Sequence, residues 1–205
     1  MIEEHNILIS SVGGQGGVTL ARILSTAALS QGLKVRVGET LGMAQRGGSV
    51  ESHVRFGESI HSPLIPRGRC DVLLSLEPAE ALRAVRYVGA RTKVIMNTAP
   101  SLPISVLLGE ATYPEIDEVV GKLRRIAGAV YSFDAVETAR KAGAAEGMNV
   151  VVLGGYMSLR EEVLTLPAVE EAISKTLPAR YLQLNMKAFH TGMDKMKELL
   201  MCSQT

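Results

Sequence analysis

Short apolar runs alternate with amphipathic stretches along the first half of the chain. Residues 7–12 form an apolar, β-rich run, and residues 19–31 then carry apolar side chains at helical spacing up to a glycine, which commonly ends a helix. Continuously apolar runs at 71–76 and 93–97 bracket a predicted helix over 78–88. The pattern therefore predicts two βα units, each a strand followed by a helix.

Further elements are predicted between and after these units. Residues 34–37 predict a short strand, and residues 50–56 alternate apolar with polar side chains, as on a strand with one buried face. Residues 61–68 contain two prolines and predict an extended edge segment. Later in the chain the pattern predicts a helix over 114–126, a strand over 129–133 and a helix over 134–142 that is capped by Asp134. Two further helices are predicted over 150–163 and 188–201, separated by breaks at Pro167 and Pro178.

This alternation predicts the fold class. No repeat, low-complexity tract or linker interrupts it, so we expect residues 1–205 to form a single α/β domain. The expected architecture is a Rossmann-like, three-layer α/β/α arrangement with a mostly parallel sheet and helices on both of its faces. Ligands of such sheets bind where the carboxyl ends of the strands meet the loops. That edge is expected to hold the loop after the first strand and the segment after residue 37.

Composition and charge narrow the function classes. The 205 residues are 46% hydrophobic and 21% charged with a net charge of +1, which predicts neither nucleic acid nor an anionic membrane as partner. No signal-peptide pattern or membrane-length apolar run is present in the sequence, so a cytoplasmic protein is expected. Cys70 and Cys202 are too few for a four-thiolate iron–sulfur cluster or a Cys-based zinc site. Cys70 is expected to be a buried spectator.

A glycine-rich loop follows the first predicted strand. Glycines leave backbone N–H groups free to face an anion at the positive end of the next helix. No Lys-Ser or Lys-Thr pair follows, which excludes a Walker A motif, and Ser11 replaces the first glycine of the dinucleotide fingerprint, for which Glu39 would bind the ribose. Nucleotide binding, a packing turn and another ligand all remain open. The loop residues are Gly13, Gly14, Gln15, Gly16 and Gly17.

A second polar turn precedes the alternating strand. It brings an amide, a cation and a hydroxyl close to exposed backbone, which suits the positioning of an anionic group with Arg46 as its charged anchor. A solvated hairpin turn explains the same residues. The members of this turn are Gln45, Arg46, Gly47, Gly48 and Ser49.

Several motifs occur in an order that is similar to one known family. The chain resembles the gamma-type domain of the 2-oxoacid:ferredoxin oxidoreductases over nearly its whole length, and within that family it is most similar to the indolepyruvate branch. It departs from the family pattern at Ser11, where glycine is common, and at Ala44, where serine is frequent. The motifs are GGQGG (13–17), GMAQRGGSVESHVR (42–55), SPLIPRGRCDVLLSLEPAEALR (62–83), MNT (96–98), YPEID (113–117) and NVVVLGGY (149–156).

The resemblance implies a subunit of an enzyme complex. Family enzymes decarboxylate a 2-oxoacid on thiamine diphosphate, pass electrons through [4Fe–4S] clusters to ferredoxin, and transfer the acyl group to coenzyme A. In the indolepyruvate branch, thiamine diphosphate, Mg²⁺ and the clusters belong to a larger alpha subunit. This chain would be the beta subunit, which binds none of them alone. The complex would act on indolepyruvate and other aryl pyruvates, and the isolated chain is expected to be inactive, with a homodimer as one expected state.

The resemblance also implies a site. Residues 13–17 and 45–49 would face the alpha subunit or a bound anion, with positioning and electrostatic roles and no catalytic base among them. Alternative functions are a stand-alone NAD- or FAD-binding module, the gamma subunit of another 2-oxoacid:ferredoxin oxidoreductase, or a subunit that serves assembly alone.

Structural roles are preferred for the other polar residues of interest. His53 is interpreted as a structural or interface histidine rather than an acid–base group. Glu39 is interpreted as a strand-end residue bonded to loop backbone rather than a ribose ligand. Asn97 and Asn149 are expected to bond loop backbone, with ligand contact as the alternative.

Overall fold

The computed structural model describes residues 3–41, 47–159 and 163–202. Within these ranges one sheet has the strand order β2-β3-β1-β4-β5-β6. Its strands are β1 (His5–Val12), β2 (Lys34–Leu41), β3 (Ser49–Gly57), β4 (Val72–Ser75), β5 (Lys93–Asn97) and β6 (Ala129–Phe133). The helices are α1 (Gly17–Ser30), α2 (Pro78–Arg83), α3 (Ile104–Leu107), α4 (Ile116–Arg124), α5 (Ala135–Lys141), α6 (Met148–Met157), α7 (Leu166–Thr176) and α8 (Ala179–Cys202).

The sheet is mostly parallel, which confirms the predicted α/β class. Strands β1, β4, β5 and β6 pair in parallel, whereas β3 runs antiparallel to both β1 and β2. The antiparallel pairing of β2 and β3 follows from the short connection between them, because a parallel pair needs a crossover of a dozen residues or more. Because β3 pairs with both β1 and β2, it lies between them in the sheet.

Helices cover both faces of the sheet, as the sequence predicts. On one face the core joins α1, α6, α7 and α8 to side chains such as Ile7, Ile9 and Val54. On the other face α2 and α4 cover Leu8 and Leu73 together with their neighbours. Alternate residues of β1 therefore belong to different cores, which explains why Ile7, Leu8 and Ile9 are apolar in succession.

Helices α6 and α8 cross at very close range. A Cβ atom at Gly154 would lie 2.0 Å from the Phe189 carbonyl oxygen, and one at Gly192 would lie 2.1 Å from the Val151 carbonyl oxygen. Both positions therefore need glycine. The apolar motif at 149–156 forms a helix that is buried almost all round, because it is packed between the sheet and α8.

Several element boundaries differ from the predictions. Strands β5 and β6 and the Asp134 cap of α5 match them, with the Asp134 carboxylate accepting the Glu137 N–H at 2.7 Å. Helix α7 was not predicted, because Pro167 was interpreted as a break although it lies in the helix's first turn, where proline is tolerated. Helix α3 was also missed. The helix predicted over 78–88 is α2 followed by a 3-10 turn. Helix α6 ends at Met157 rather than at residue 163, α8 begins at Ala179 rather than at residue 188, and β2 continues to Leu41 rather than ending at residue 37.

Strand β3 is buried on both faces, so the prediction of one buried face is wrong. Residues 58–70 pass over its polar face instead of running along an edge of the sheet. Arg55 donates to the carbonyl oxygens of Ser62 (2.7 Å) and Leu64 (3.1 Å), and the Ile65 N–H donates to Nδ1 of His53 at 3.2 Å. Hydrogen bonds to this cover allow a charged residue and a histidine to be buried.

Candidate functional site at the carboxyl edge of the sheet

The glycine loop turns sharply between β1 and α1. Gly14 and Gly16 adopt φ angles of 101° and 82°, which side chains other than glycine rarely accept. The Gln15 N–H donates to the Val12 carbonyl at 3.1 Å, and the Gln15 side-chain Oε1 accepts the Val12 N–H at 2.9 Å. Gln15 therefore closes the turn with two hydrogen bonds to Val12, one from its backbone and one to its side chain. The side-chain amide thus has a structural role.

The two sequence-predicted loops meet at this edge. The Gly13 N–H donates to the Gly48 carbonyl oxygen at 2.9 Å. Gly47 has a φ of 71°, and the Ser49 hydroxyl donates to the Glu80 carboxylate. Gln45 and Arg46 lie outside the described residues. The structure thus brings Gly13–Gly17 together with Gly47–Ser49, and we call these residues the loop pair.

Helix α1 begins within the loop pair, and Val18 in its first turn is exposed. Gly16 caps the helix without a side-chain hydrogen bond, and no acidic residue lies in the first turn. The Asn149 amide donates to the Gly16 carbonyl at 3.2 Å, and a Cβ at Gly16 would lie 2.4 Å from that amide nitrogen. Ser11 fills the space beneath Gly17 in the same way, because a Cβ at Gly17 would lie 2.4 Å from the Ser11 hydroxyl oxygen. This end of α1 can therefore accept a negative charge on a ligand or a protein partner.

Two glutamates at the start of α2, the N-cap Glu77 and Glu80, stabilise the surroundings of the loop pair, and sequence reasoning missed both. Glu77 is 1% exposed; it caps α2 by accepting the Glu80 N–H at 3.0 Å, and it also accepts the Ser101 N–H at 3.3 Å and the Tyr113 hydroxyl. Burial raises the pKa of Glu80, and the Ser49 hydroxyl and Arg83 oppose that rise. The Glu-Pro pair at 77–78 was the available signal, because an acid before an N1 proline marks a helix cap.

A buried polar layer continues along β3 away from the loops. Glu51 pairs with Arg86 at 2.6 Å, and Arg55 pairs with Glu4 at 2.6 Å. Between them, burial and the charges of Arg86 and Arg55 lower the pKa of His53 to about 4. His53 is fully buried and neutral at physiological pH, which favours its structural interpretation over acid–base work.

The remaining polar candidates stabilise the fold. Asn97 donates to the carbonyl oxygens of Leu76 and Ala99 at 3.0 Å each and accepts the Ala135 N–H at 3.0 Å. It joins the loops that follow β4, β5 and β6. Glu39 is exposed and lies two residues before the end of β2; because residues 42–46 lie outside the described residues, its bond to loop backbone stays a prediction. Its register partner is Ser52, which in turn lies opposite Ile9 of β1.

The described residues offer no cluster-binding set. Burial raises the pKa of the Cys70 thiol to about 12, and Cys202 lies at the exposed end of α8. Within the described ranges no three His, Cys, Asp or Glu side chains group as metal ligands. No helix in this part of the chain has the length and apolar character to cross a membrane.

A cavity of about 730 Å³ opens at the opposite, amino edge of the sheet. Its lining includes Arg55, Glu4, Asn6 and Asp71. These groups are already engaged, because Glu4 accepts from Arg55 at 2.6 Å and Asp71 accepts the Asn6 N–H at 2.8 Å. The cavity is remote from the loop pair, and we place the candidate site at the carboxyl edge.

Similarity to known proteins identifies the chain as a subunit of an oxidoreductase of the 2-oxoacid:ferredoxin type. Residues 6–195 match the family model for pyruvate ferredoxin/flavodoxin oxidoreductase, and the chain belongs to this family. Among its curated relatives, indolepyruvate oxidoreductase subunit IorB from Archaeoglobus fulgidus is 46% identical over 91% of this chain and 92% of its own. The IorB subunit from Thermococcus kodakarensis is 41% identical over 97% of this chain and 99% of its own. Because the relatives are subunits of an oxidoreductase complex, membership in this family implies that the chain has partner subunits.

Solved structures show the same fold. The gamma subunit of a keto/oxoacid ferredoxin oxidoreductase from Geobacter sulfurreducens matches with a TM-score of 0.68 at 24% identity, covering 95% of this chain and 99% of that one. A 2-oxoglutarate:ferredoxin oxidoreductase from Magnetococcus marinus, solved with 2-oxoglutarate, coenzyme A and succinyl-CoA, matches with a TM-score of 0.72 at 18% identity. That match covers 97% of this chain and 32% of the other, so there the fold forms part of a longer polypeptide.

Proposed function

We propose that this chain is the beta subunit of an indolepyruvate:ferredoxin oxidoreductase. The complex would catalyse the coenzyme A-dependent oxidative decarboxylation of indolepyruvate and other aryl pyruvates to aryl-acetyl-CoA, with reduction of ferredoxin in the cytoplasm. Support comes from curated relatives named indolepyruvate oxidoreductase subunit IorB, which are 36% to 46% identical over more than nine tenths of both chains. Relatives named pyruvate/ketoisovalerate oxidoreductase subunit gamma are less similar, at 25% to 27% identity.

The alpha subunit would hold thiamine diphosphate, Mg²⁺ and the [4Fe–4S] clusters, which supply decarboxylation and electron transfer. The beta chain, one domain over residues 1–205, would complete the surroundings of that site. The observation that carries this role is the loop pair, joined by the Gly13 N–H to Gly48 carbonyl bond beside the α1 N-terminus. We assign Gly13–Gly17 and Gln45–Ser49 to contact with the alpha subunit or with an anionic group of coenzyme A, and Arg46 would add positive charge there.

The stand-alone dinucleotide-binding alternative has less support. In that fold the ribose-binding acid ends the strand beside β1. Here β3 lies between β1 and β2, so Glu39 is two strands away, about 10 Å across the sheet, and level with Ile9 rather than with the loop.

Charge substitutions at Val18 test the proposed role of the loop pair. Val18 is 46% exposed in the first turn of α1, where an aspartate favours the helix dipole but repels a bound anion. We expect Val18→Asp to lower the coenzyme A-dependent activity of the reconstituted complex at least tenfold without loss of thermal stability. Val18→Asn is the matched neutral control and should retain activity within about threefold. Equal activity of the two variants would contradict an anion-facing role.

A further inference from the structure

An exposed apolar segment follows β5 at the carboxyl edge of the sheet. Residues 99–113, here called the apolar arm, contain the short helix α3, which buries none of its residues. Ile104, Leu107 and Leu108 are 73%, 68% and 67% exposed, and Leu102 is 42% exposed. Single exposed aliphatic residues are ordinary on protein surfaces, but four within seven positions form a patch.

Both ends of the arm are fixed to the body of the protein. At its start the Ala99 N–H donates to Oδ1 of Asn97 at 3.2 Å, and the Ser101 N–H donates to Glu77 at 3.3 Å. At its end the Tyr113 hydroxyl donates to the same Glu77 carboxylate and accepts the Ala79 N–H at 3.2 Å. The aliphatic side chains are therefore presented to solvent by an anchored segment, which limits the entropy lost when they are covered.

The arm and the loop pair are both held at the start of helix α2. Glu77 binds both ends of the arm, and Glu80, three residues later in α2, binds the Ser49 hydroxyl. The two features therefore keep a fixed relation to each other at the same edge of the sheet. A partner that covers the loop pair has the arm beside it.

We propose that the apolar arm docks into an uncharged, apolar groove on the large subunit of the oxidoreductase, next to the contact made by the loop pair. This inference rests on the proposed function. Residues 99–109 contain no charged side chain, so an apolar groove complements them. A stable interface buries about 800 Å² on each partner, more than four aliphatic side chains provide, so the arm fits one part of a larger contact better than the whole interface of a homodimer.

The test is the affinity of the full chain for the purified large subunit, measured by titration calorimetry. Ile104→Asp and Leu107→Asp should each raise the dissociation constant at least tenfold, because a charge replaces a side chain that becomes buried. Leu29→Asp is the matched control: Leu29 is 60% exposed at the far end of α1, and its substitution should change the constant less than twofold. Leu107→Met should retain binding. Equal thermal unfolding of all four variants shows that folding is unaffected.

Unchanged affinity in both aspartate variants overturns the proposal. So does a homodimer of the isolated chain that these variants convert to monomer while binding to the large subunit is retained, because a second copy would then occupy the arm. Failure of the proposed function would give a different result. The wild-type chain would still bind the large subunit through the arm, but indolepyruvate-dependent ferredoxin reduction would not require this chain.

Discussion

His53 lies in the polar layer of β3 with its Nδ1 accepting the Ile65 N–H at 3.2 Å and its ring edge-on to Tyr87 at 5.0 Å between centroids. This arrangement requires the neutral ring. A proton on Nδ1 would break the hydrogen bond and place a positive charge near Arg86 and Arg55. The residue therefore links the stability of the fold to pH.

We predict that acid destabilises the protein partly through His53. Its pKa falls from 6.5 in the unfolded chain to about 4 in the fold, so the unfolded state binds the proton more readily. The contribution to stability is complete above about pH 6.5 and is lost as the pH falls toward 4, by roughly 2 to 3 kcal/mol at pH 4.5. Urea unfolding at several pH values measures it. His53→Gln should show a shallower pH dependence, and parallel curves for the two proteins would contradict the assignment.

At the residue scale, the sequence predicted which residues lie at the candidate site better than it predicted what each of them does there. The glycine loop was found because glycine between an apolar strand and a helix has few other uses. The role of Gln15 was not predictable, since its side chain folds back on Val12, three residues earlier, and no pattern encodes that bond. Glu77 and Glu80 were missed because their partners, Tyr113 and Ser49, are more than thirty residues away in sequence.

At the scale of elements, the crossing of α6 and α8 depends on two glycines in contact with backbone. Gly154 faces the Phe189 carbonyl, and Gly192 faces the Val151 carbonyl. Neither carbonyl can move without shifting its helix. Close packing against α8 thus explains why the first glycine of the GG pair in the motif at 149–156 is needed.

We predict that Gly154→Ala destabilises the fold by about 3 kcal/mol, because the new methyl group forces the two helices apart. Gly121→Ala in α4 is the matched control: no atom lies within 4 Å of its Cβ position, so alanine should stabilise the helix by about 0.5 to 1 kcal/mol. Chemical denaturation of the two variants measures both values. A neutral Gly154→Ala would show that the crossing is looser than described.

Element types were largely predictable, and most errors occurred where tertiary context decides. Strand β5 matches its predicted bounds because an apolar run lies between Lys93 and Asn97, and β6 matches because Gly128 and Asp134 flank a short β-rich segment. Helix α7 was missed because a proline interrupts helices in most positions but not in the first turn. The burial of both faces of β3 depends on the cover at residues 58–70, whose path the alternation in β3 does not encode.

At the scale of the whole molecule, topology determines which loops can meet. Strand β3 enters the sheet antiparallel beside β1, so its beginning lies next to the end of β1, with Val12 opposite Ser49. This register places the two glycine-rich segments in contact, although the bonded residues Gly13 and Gly48 are 35 positions apart in sequence. The order of the motifs indicated the family from sequence, whereas the contact between the loops required the fold.

The central claim is that the chain is a required subunit without the complex's redox centres. The most direct measurement is indolepyruvate- and coenzyme A-dependent reduction of ferredoxin by the purified large subunit, assayed alone and after addition of this chain. We predict little activity for either component alone and at least a tenfold gain on mixing, saturating at a fixed molar ratio. Full activity of the large subunit without this chain would contradict the account.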